Sequence, residues 1–423
     1  MPLNRRRLLA VLAALPLVAG AANQGLRARV VVVGGGFAGA TAARLLKTQA
    51  PSLEVVLVEP QAVFHTCPRS NLVLAGLETL HALAWSYRGL EALGVRHVRE
   101  AAREIDPVAR RVVLRDGRRL AYDWLVFAPG IDFRYEAIEG HSADLAERFP
   151  HAWKAGPQTE RLQRQLQAMD DGGVVLMSVP ENPYRCPPGP YERASLVAHY
   201  LAQHKPRAKL LILDAKDTFS KEALFRQDWA HRHDGRIEWV GRAGDGKVVR
   251  LDAARRELEC EFGGRHRGDV INLIPPQRAS RLAARAGLAD ASGWVPVEGQ
   301  GFRATQAERV IALGDACIAA PMPKSAYSAH AQARRAVAAL LAELRGEPPV
   351  PPALDNTCYS LLAPGAAVSI GARYDAPAAL LREVPGTLRL SPLDGDPALR
   401  AREAEEADAW YQAIGAATWG SRA

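Results

Sequence analysis

Four consecutive valines, Val30-Val31-Val32-Val33, have no polar residue among them and read as a strand buried on both faces. Gly34-Gly35-Gly36-Phe37-Ala38-Gly39 follows at once, Ala40 to Lys47 reads as a helix, and Glu54 to Glu59 (EVVLVE) is a second apolar strand. Strand, glycine turn, helix and strand in so short a span predict a βαβ unit. The pattern recurs in the middle of the chain. Gly173 to Val179 is strand-like, Tyr191 to His204 is an amphipathic helix, and Lys209 to Asp214 (KLLILD) is another strand. Leu125 to Gly130 (LVFAPG) is a further apolar segment, and Arg309 to Asp315 (RVIALGD) is a strand ending in Gly-Asp. An alanine-rich helix runs to about Leu344, and Gly346 to Pro352 reads as a linker. From Ala353 strand-like pieces lead to a helix around Ala401 to Ile414, which predicts a small third domain.

The glycines of the first unit have separate mechanical tasks. Gly34 makes the tight turn, Gly36 lets backbone approach a pyrophosphate at the helix N-terminus, and Gly39 lets helix pack on strand. Glu59, at the end of the second strand, is placed to accept the ribose hydroxyls of an adenosine. These parts predict a dinucleotide site. Asp315 resembles the aspartate that binds the ribityl chain in flavoproteins with two dinucleotide domains, and LVFAPG is similar to the segment linking those domains, so the dinucleotide is read as FAD. The second unit differs. Its first strand leads into Pro180-Glu181-Asn182-Pro183-Tyr184-Arg185-Cys186-Pro187-Pro188-Gly189-Pro190, where prolines remove amide donors and one glycine stands in for three. The fold of an NAD domain is expected there without its phosphate site, which points away from NAD(P)H.

Composition narrows the function classes. The chain has 423 residues, 48% apolar and 24% charged, which excludes collagen-like, coiled-coil and wholly disordered readings. Net charge is +8, weak grounds for nucleic-acid binding and compatible with an acidic partner or an anionic substrate. Arg5-Arg6-Arg7, an apolar run from Leu8 to Val18 and Ala19-Gly20-Ala21 form a signal-peptide layout, and the arginine pair predicts twin-arginine export over residues 1–22. A Sec leader or a retained apolar N-terminus fits the same pattern. The expected location is the periplasm, with no transmembrane segment in the mature chain. Five cysteines form no CxxC and no CxxCH, so no c-type haem attaches here. The histidines have no metal-ligand spacing, and no metal is expected.

Longer strings are more specific. VVVGGGFAGA (31–40), Thr66-Cys67, RCPPGPYERAS (185–195), VINLIPPQR (270–278), GDACIAAPMPKSAY (314–327) and NTCYS (356–360) resemble the flavoprotein subunit of flavocytochrome c sulfide dehydrogenase. The resemblance implies an α/β fold with two dinucleotide-binding (Rossmann-like) domains of the glutathione reductase type and a small C-terminal α+β domain. It divides the chain into an FAD-binding part over 27–150, an NAD-like domain over 151–270, the return of the FAD domain over 271–346, and a cytochrome-interface domain over 353–423. It implies a thioether from Cys67 to the flavin 8α-carbon, although a free thiol remains open. It pairs Cys186 with Cys358 as a redox disulfide opened by hydrosulfide, against a purely structural disulfide. Glu192 becomes a proton-moving carboxylate, or else caps its helix. Lys324 offsets charge on the reduced flavin, or is solvated. Trp410 lies by the flavin, or in the core. Cys317 reads as a buried small hydrophobe and Cys260 carries no motif. The implied activity is oxidation of sulfide to sulfur or polysulfide, with electrons passed to a separate c-type cytochrome subunit. Two rivals stay open: a sulfide:quinone oxidoreductase, and a non-catalytic redox or thiol-handling subunit.

Overall fold

The computed structural model describes residues 26–378 and 380–423, so the leader expected over 1–22 lies outside the described residues. The valine run forms β1 (Arg29–Val33), fully buried from Val30 to Val32. Helix α1 (Phe37–Gln49) starts inside the glycine loop, earlier than the pattern suggested. β2 (Glu54–Val58), β3 (Arg96–Val98) and β4 (Trp124–Phe127) join β1 in a parallel sheet, with Val30 opposite Val55 on one side and Trp124 on the other. All four residues of β4 are buried. Near-continuous apolar runs are what a sheet covered on both faces demands.

A second parallel sheet repeats the plan. β5 (Val174–Val179) leads to α2 (Gly189–His204), β6 (Lys209–Asp214), α3 (Glu222–Arg232), β7 (Ile237–Val240) and β8 (Val270–Leu273), in the spatial order β7-β6-β5-β8. β9 (Val310–Ala312) then returns to the first sheet, whose order is β9-β4-β1-β2-β3. This is an α/β architecture with two dinucleotide-type units. Helix α4 (Ala326–Arg345) packs on α1.

The C-terminal segment begins as an antiparallel ribbon, β10 (Leu354–Ala363) and β11 (Ala366–Ala378), which pairs Cys358 with Ile370. The turn is Pro364-Gly365, with Gly365 at φ +69° where a side chain would be strained. Helix α5 spans Pro397–Trp419, longer at both ends than the 401–414 expected. Its start is fixed by the Asp396 side chain, which accepts from the Leu399 amide at 2.7 Å, and by Pro397 in the first position.

This segment is not an appendage. The Trp419 indole donates to the Gly35 carbonyl at 3.1 Å and its ring stacks on Phe64 at 5.1 Å. The Tyr411 and Thr66 hydroxyls share a hydrogen bond of 2.7 Å, and Ser421 pairs in a small sheet with Ser86. The last helix closes the first unit, because a sheet-and-loop assembly that left Phe37, Phe64 and Trp85 uncovered would expose a large aromatic cluster.

Candidate functional site

One elongated cleft runs from the glycine loop to the C-terminal ribbon. Gly34, Gly36, Glu59, Cys67, Arg185, Cys186, Glu192, Asp315, Cys358 and Trp410 all line it. Of the residues singled out in the sequence, only Gly39 and Lys324 lie off its wall. Gly39 acts from behind: a Cβ there would sit 1.9 Å from the Gly34 carbonyl oxygen, so the residue is required by helix–loop packing. Gly34 lies at φ +100°, and a Cβ would meet the Ala128 carbonyl at 2.4 Å. Gly36 is different. A Cβ there would make only ordinary contact with Phe64 at 3.5 Å, so the protein itself does not demand glycine. The room it leaves faces the cleft, as backbone approach to a phosphate requires.

Glu59 accepts from the Gly35 amide at 2.9 Å and the Gln61 amide at 3.0 Å, which holds its carboxylate at the loop. Elsewhere on the cleft Asp315 accepts from Arg185 Nε at 2.6 Å through one oxygen. Its other oxygen is buried without a partner among the described residues, the state expected of a group made to receive a ligand hydroxyl. The glycine cradle, Glu59 and this orphaned oxygen fit FAD.

Cys67 follows the second strand of the first unit and is half-buried. Arg185 Nη1 donates to its sulfur at 3.4 Å. Cys186 and Cys358 are both thiols in the structure, and the fold brings them to the same wall of the cleft from the second unit and the C-terminal ribbon. Cys186 adopts φ +56°, an uncommon conformation for a side-chain-bearing residue, and its amide donates to the Lys324 carbonyl at 2.8 Å. Burial, reinforced by neighbouring Cys358 and Glu192, pushes its thiol well up, while Lys221 opposes the shift. Asn356 donates to Cys358 Sγ at 3.4 Å.

Glu192 does not cap its own helix. One oxygen accepts from Asn71 Nδ2 at 2.9 Å and the other from the Leu361 amide at 3.3 Å, so it joins α2 to the strand that carries Cys358. Burial raises its carboxyl above the ordinary range, against the donors from Asn71 and Leu361 and the charges of Lys221 and Arg193. A buried carboxylate with a raised pKa beside a cysteine pair can hold or release a proton. Trp410 is half-buried and stacks nearly parallel to Tyr327 with ring centres 6.1 Å apart on the cleft wall, not in the core.

Lys324 departs from the expectation. Its ammonium turns away from the cleft, donates to the carbonyls of Asp315 and Cys317 at 3.0 and 2.7 Å, and sits 3.8 Å from the centre of the Trp294 ring. It pins the Gly-Asp turn that presents Asp315. Cys317 is buried, its thiol raised by desolvation to about 12. Three residues escaped the sequence reading. Arg185 bridges Asp315 and Cys67. Arg193 is buried among Asn71, Asn272 and the carbonyls of His151 and Ala152. Lys221 is buried beside the Cys358 strand. For the two arginines a signal existed, since both flank Cys186 and Glu192 in one motif. For Lys221 none did.

Comparison with known proteins agrees with this geometry. The family described as "Sulfide dehydrogenase [flavocytochrome c] flavoprotein chain, central" matches residues 159–275, "Flavocytochrome c sulphide dehydrogenase, flavin-binding" matches 350–419, and "Pyridine nucleotide-disulphide oxidoreductase" matches 28–172. The sulfide dehydrogenase [flavocytochrome c] flavoprotein chain of Chlorobaculum thiosulfatiphilum is 60% identical over 45 residues, which are 11% of this chain and 94% of that sequence. The mitochondrial sulfide:quinone oxidoreductase of Mus musculus is 26% identical over 315 residues, 72% of this chain and 68% of its own. The crystal structure of sulfide:quinone oxidoreductase from Aquifex aeolicus superposes with a TM-score of 0.70 at 17% identity, covering 93% of this chain and 92% of that one.

Proposed function

This chain belongs to the flavoprotein chains of flavocytochrome c sulfide dehydrogenase, and from that premise we propose that it oxidises sulfide to sulfur or polysulfide through a Cys186–Cys358 disulfide and FAD. The observation that carries the reading is that Cys186, Cys358 and the FAD-fitting residues wall a single cleft. Hydrosulfide attack forms a sulfur–sulfur bond to one cysteine, breaks the bond between the two, and leaves the electron pair on the other as thiolate. Glu192, held against Asn71 and Leu361, takes or returns the proton of the substrate or of the departing thiol. Gly34, Gly36, Glu59, Arg185 and Asp315 orient FAD, and Cys67 attaches it by a thioether. Bound there, FAD supplies an acceptor that takes electrons in pairs and releases them singly, which suits a haem.

The acceptor we propose is a separate c-type cytochrome, docked on the C-terminal segment that carries Cys358 and Trp410. The setting is the periplasm, reached in folded, FAD-loaded form through the twin-arginine signal of residues 1–22. A stopped-flow experiment with anaerobic sulfide tests the core of the proposal. Wild type bleaches rapidly, whereas Cys186→Ser and Cys358→Ser each lose at least about 100-fold in rate yet still bleach with dithionite. Near-normal rates in either variant would reduce the pair to a structural role, and a wild type indifferent to sulfide would leave a thiol-handling subunit. Wild type that loses its yellow colour to the acid supernatant, as Cys67→Ser is expected to, ends the thioether.

A sulfide:quinone activity is favoured by one observation: the similarity to the mouse enzyme spans 72% of this chain. Acceptor preference separates the two. Faster reduction of a soluble quinone than of any cytochrome c, with no haem protein in the pull-down, selects the quinone reading.

A further inference from the structure

Lys221 lies outside the machinery so far described, yet it is 6% exposed. It occupies the N-cap position of α3 at φ +62°, a backbone region that residues other than glycine avoid, and so aims its side chain inward. Its ammonium donates to the Cys358 carbonyl at 2.8 Å, the Ser360 hydroxyl at 2.7 Å and the Val368 carbonyl at 3.3 Å. None of these three bonds goes to a carboxylate. The positive charge is thus held beside the cysteine strand by neutral oxygens, an arrangement that keeps it free to act on whatever negative charge appears nearby. Glu192 grips the same strand one residue further on, at the Leu361 amide.

We propose that Lys221 is the counter-charge of the Cys186–Cys358 pair: a positioning residue that holds the strand bearing Cys358 and stabilises the thiolate left when the bond between the two sulfurs opens. The proposal rests on the reading of that pair as the sulfide-opened disulfide. The chemistry calls for such a group. When hydrosulfide bonds to one sulfur and the other departs with the electron pair, the single negative charge moves from a solvated anion to a buried cysteine. Burial opposes that move, and a fixed cation beside the pair offsets it. The groups facing the pair are Glu192 and Arg193 from α2, Lys221 from the start of α3, Cys67, and the phenols Tyr184 and Tyr374, while Glu403 from α5 faces Lys221 itself. Lys221 lies within electrostatic reach of both sulfurs, whose negative charge raises its pKa against the lowering by burial.

The test uses holoprotein reduced with dithiothreitol and desalted, with iodoacetamide alkylation of Cys186 and Cys358 followed against pH by peptide mass spectrometry. In Lys221→Met the alkylation midpoint of at least one of the two rises by about one pH unit, roughly a tenfold loss of thiolate near neutrality. In Lys221→Arg, which keeps the charge, the midpoints stay with wild type. Lys221→Gln, which keeps a donor for the Cys358 carbonyl, replaces Lys221→Met if that variant loses flavin. Coincident midpoints in a folded neutral variant, or loss of fold in both neutral variants, assign Lys221 to the fold alone and overturn the proposal. Alkylation needs no sulfide turnover, so the two ideas fail separately. Shifted midpoints in a protein that sulfide does not bleach would keep the counter-charge and remove the reaction. Cysteine variants inert to sulfide, together with unshifted midpoints, would do the reverse.

Discussion

The two βαβ units share a plan and differ at one turn. In the first, β1 runs into three consecutive glycines, and the acid at the end of the second strand, Glu59, lines an open cleft. In the second, β5 runs into prolines, and the matching acid, Asp214, is fully buried. Asp214 accepts from the Tyr191 hydroxyl at 2.5 Å, the Trp239 indole at 3.0 Å and the Lys216 ammonium at 2.6 Å. Tyr191 stacks on Phe219 with ring centres 3.7 Å apart, in the space beside it. The carboxylate that would receive a ribose has been satisfied by the protein's own side chains. The same fold therefore supports a ligand site in one place and a plug in the other, and the amides removed by proline are as decisive as the aromatics that fill the gap.

Substitutions can break this contrast, and the largest effect belongs to the first unit. Gly39→Val drives side-chain carbon into the Gly34 carbonyl, and we expect no yellow protein after gel filtration; full flavin retention would show that the loop is not the binding element. Next comes the plug. Asp214→Ala leaves Tyr191, Trp239 and Lys216 buried without their acceptor, and a chemical-denaturation midpoint should report a loss of about 3–5 kcal/mol while the flavin spectrum is unchanged. Neither NADH nor NADPH should bleach the flavin in the wild type or in this variant, and rapid bleaching by either would mean that the second unit still binds nucleotide.

Glu59→Gln is milder. In a Cys67→Ser background, where flavin can exchange, loss of the charge-assisted contacts should weaken FAD binding by about 1.5–3 kcal/mol in a titration of apoprotein. An unchanged affinity would remove Glu59 from the site.

The smallest effect sharpens the comparison through pH. Each unit desolvates an imidazole: half-buried His330 shares a 2.9 Å hydrogen bond with Thr41, whereas His233 is buried with both nitrogens without a partner among the described residues. Desolvation lowers both to about 4. Unfolded, they would titrate near about 6.5. Between these values the unfolded chain binds protons that the folded chain refuses, so stability is whole above pH ~6.5 and declines as pH falls toward ~4. The urea midpoint should be lower at pH 5 than at pH 7.5. His233→Leu should flatten that dependence at little cost, whereas His330→Leu should flatten it and also lose about 1 kcal/mol at pH 7.5. A steeper acid decline in either variant would contradict the sign.

The parts of this molecule that were legible in its sequence are those set by neighbours along the chain. Val30–Val33 and KLLILD announce buried strands because burial on both faces tolerates no polar residue. The glycines and prolines of the two turns carry their meaning locally. Asp396-Pro397 and Trp419-Gly420 also mark the ends of α5 locally. What stayed hidden depends on contacts across the fold. Nothing in Ser220-Lys221-Glu222 distinguishes a buried lysine from a surface one, since its partners lie on β10 and β11, 137 to 147 residues away. The contacts of Lys324 were hidden for the same reason: the motif that contains it is specific, yet the Asp315 turn and the Trp294 ring that hold its ammonium lie outside what the motif spells.

The bond from the Trp419 indole to the Gly35 carbonyl joins residues 384 positions apart, and it sets an order of events in time. The glycine loop leaves the ribosome first, and the indole that braces it is synthesised 384 residues later. Contacts of such long sequence separation form late and slowly. Until then the loop has no lid and its aromatic neighbours Phe37 and Phe64 are bare to chaperones and to other chains. Loading of the cofactor is thereby tied to the synthesis of α5: a chain cut before Trp419 is expected to be colourless.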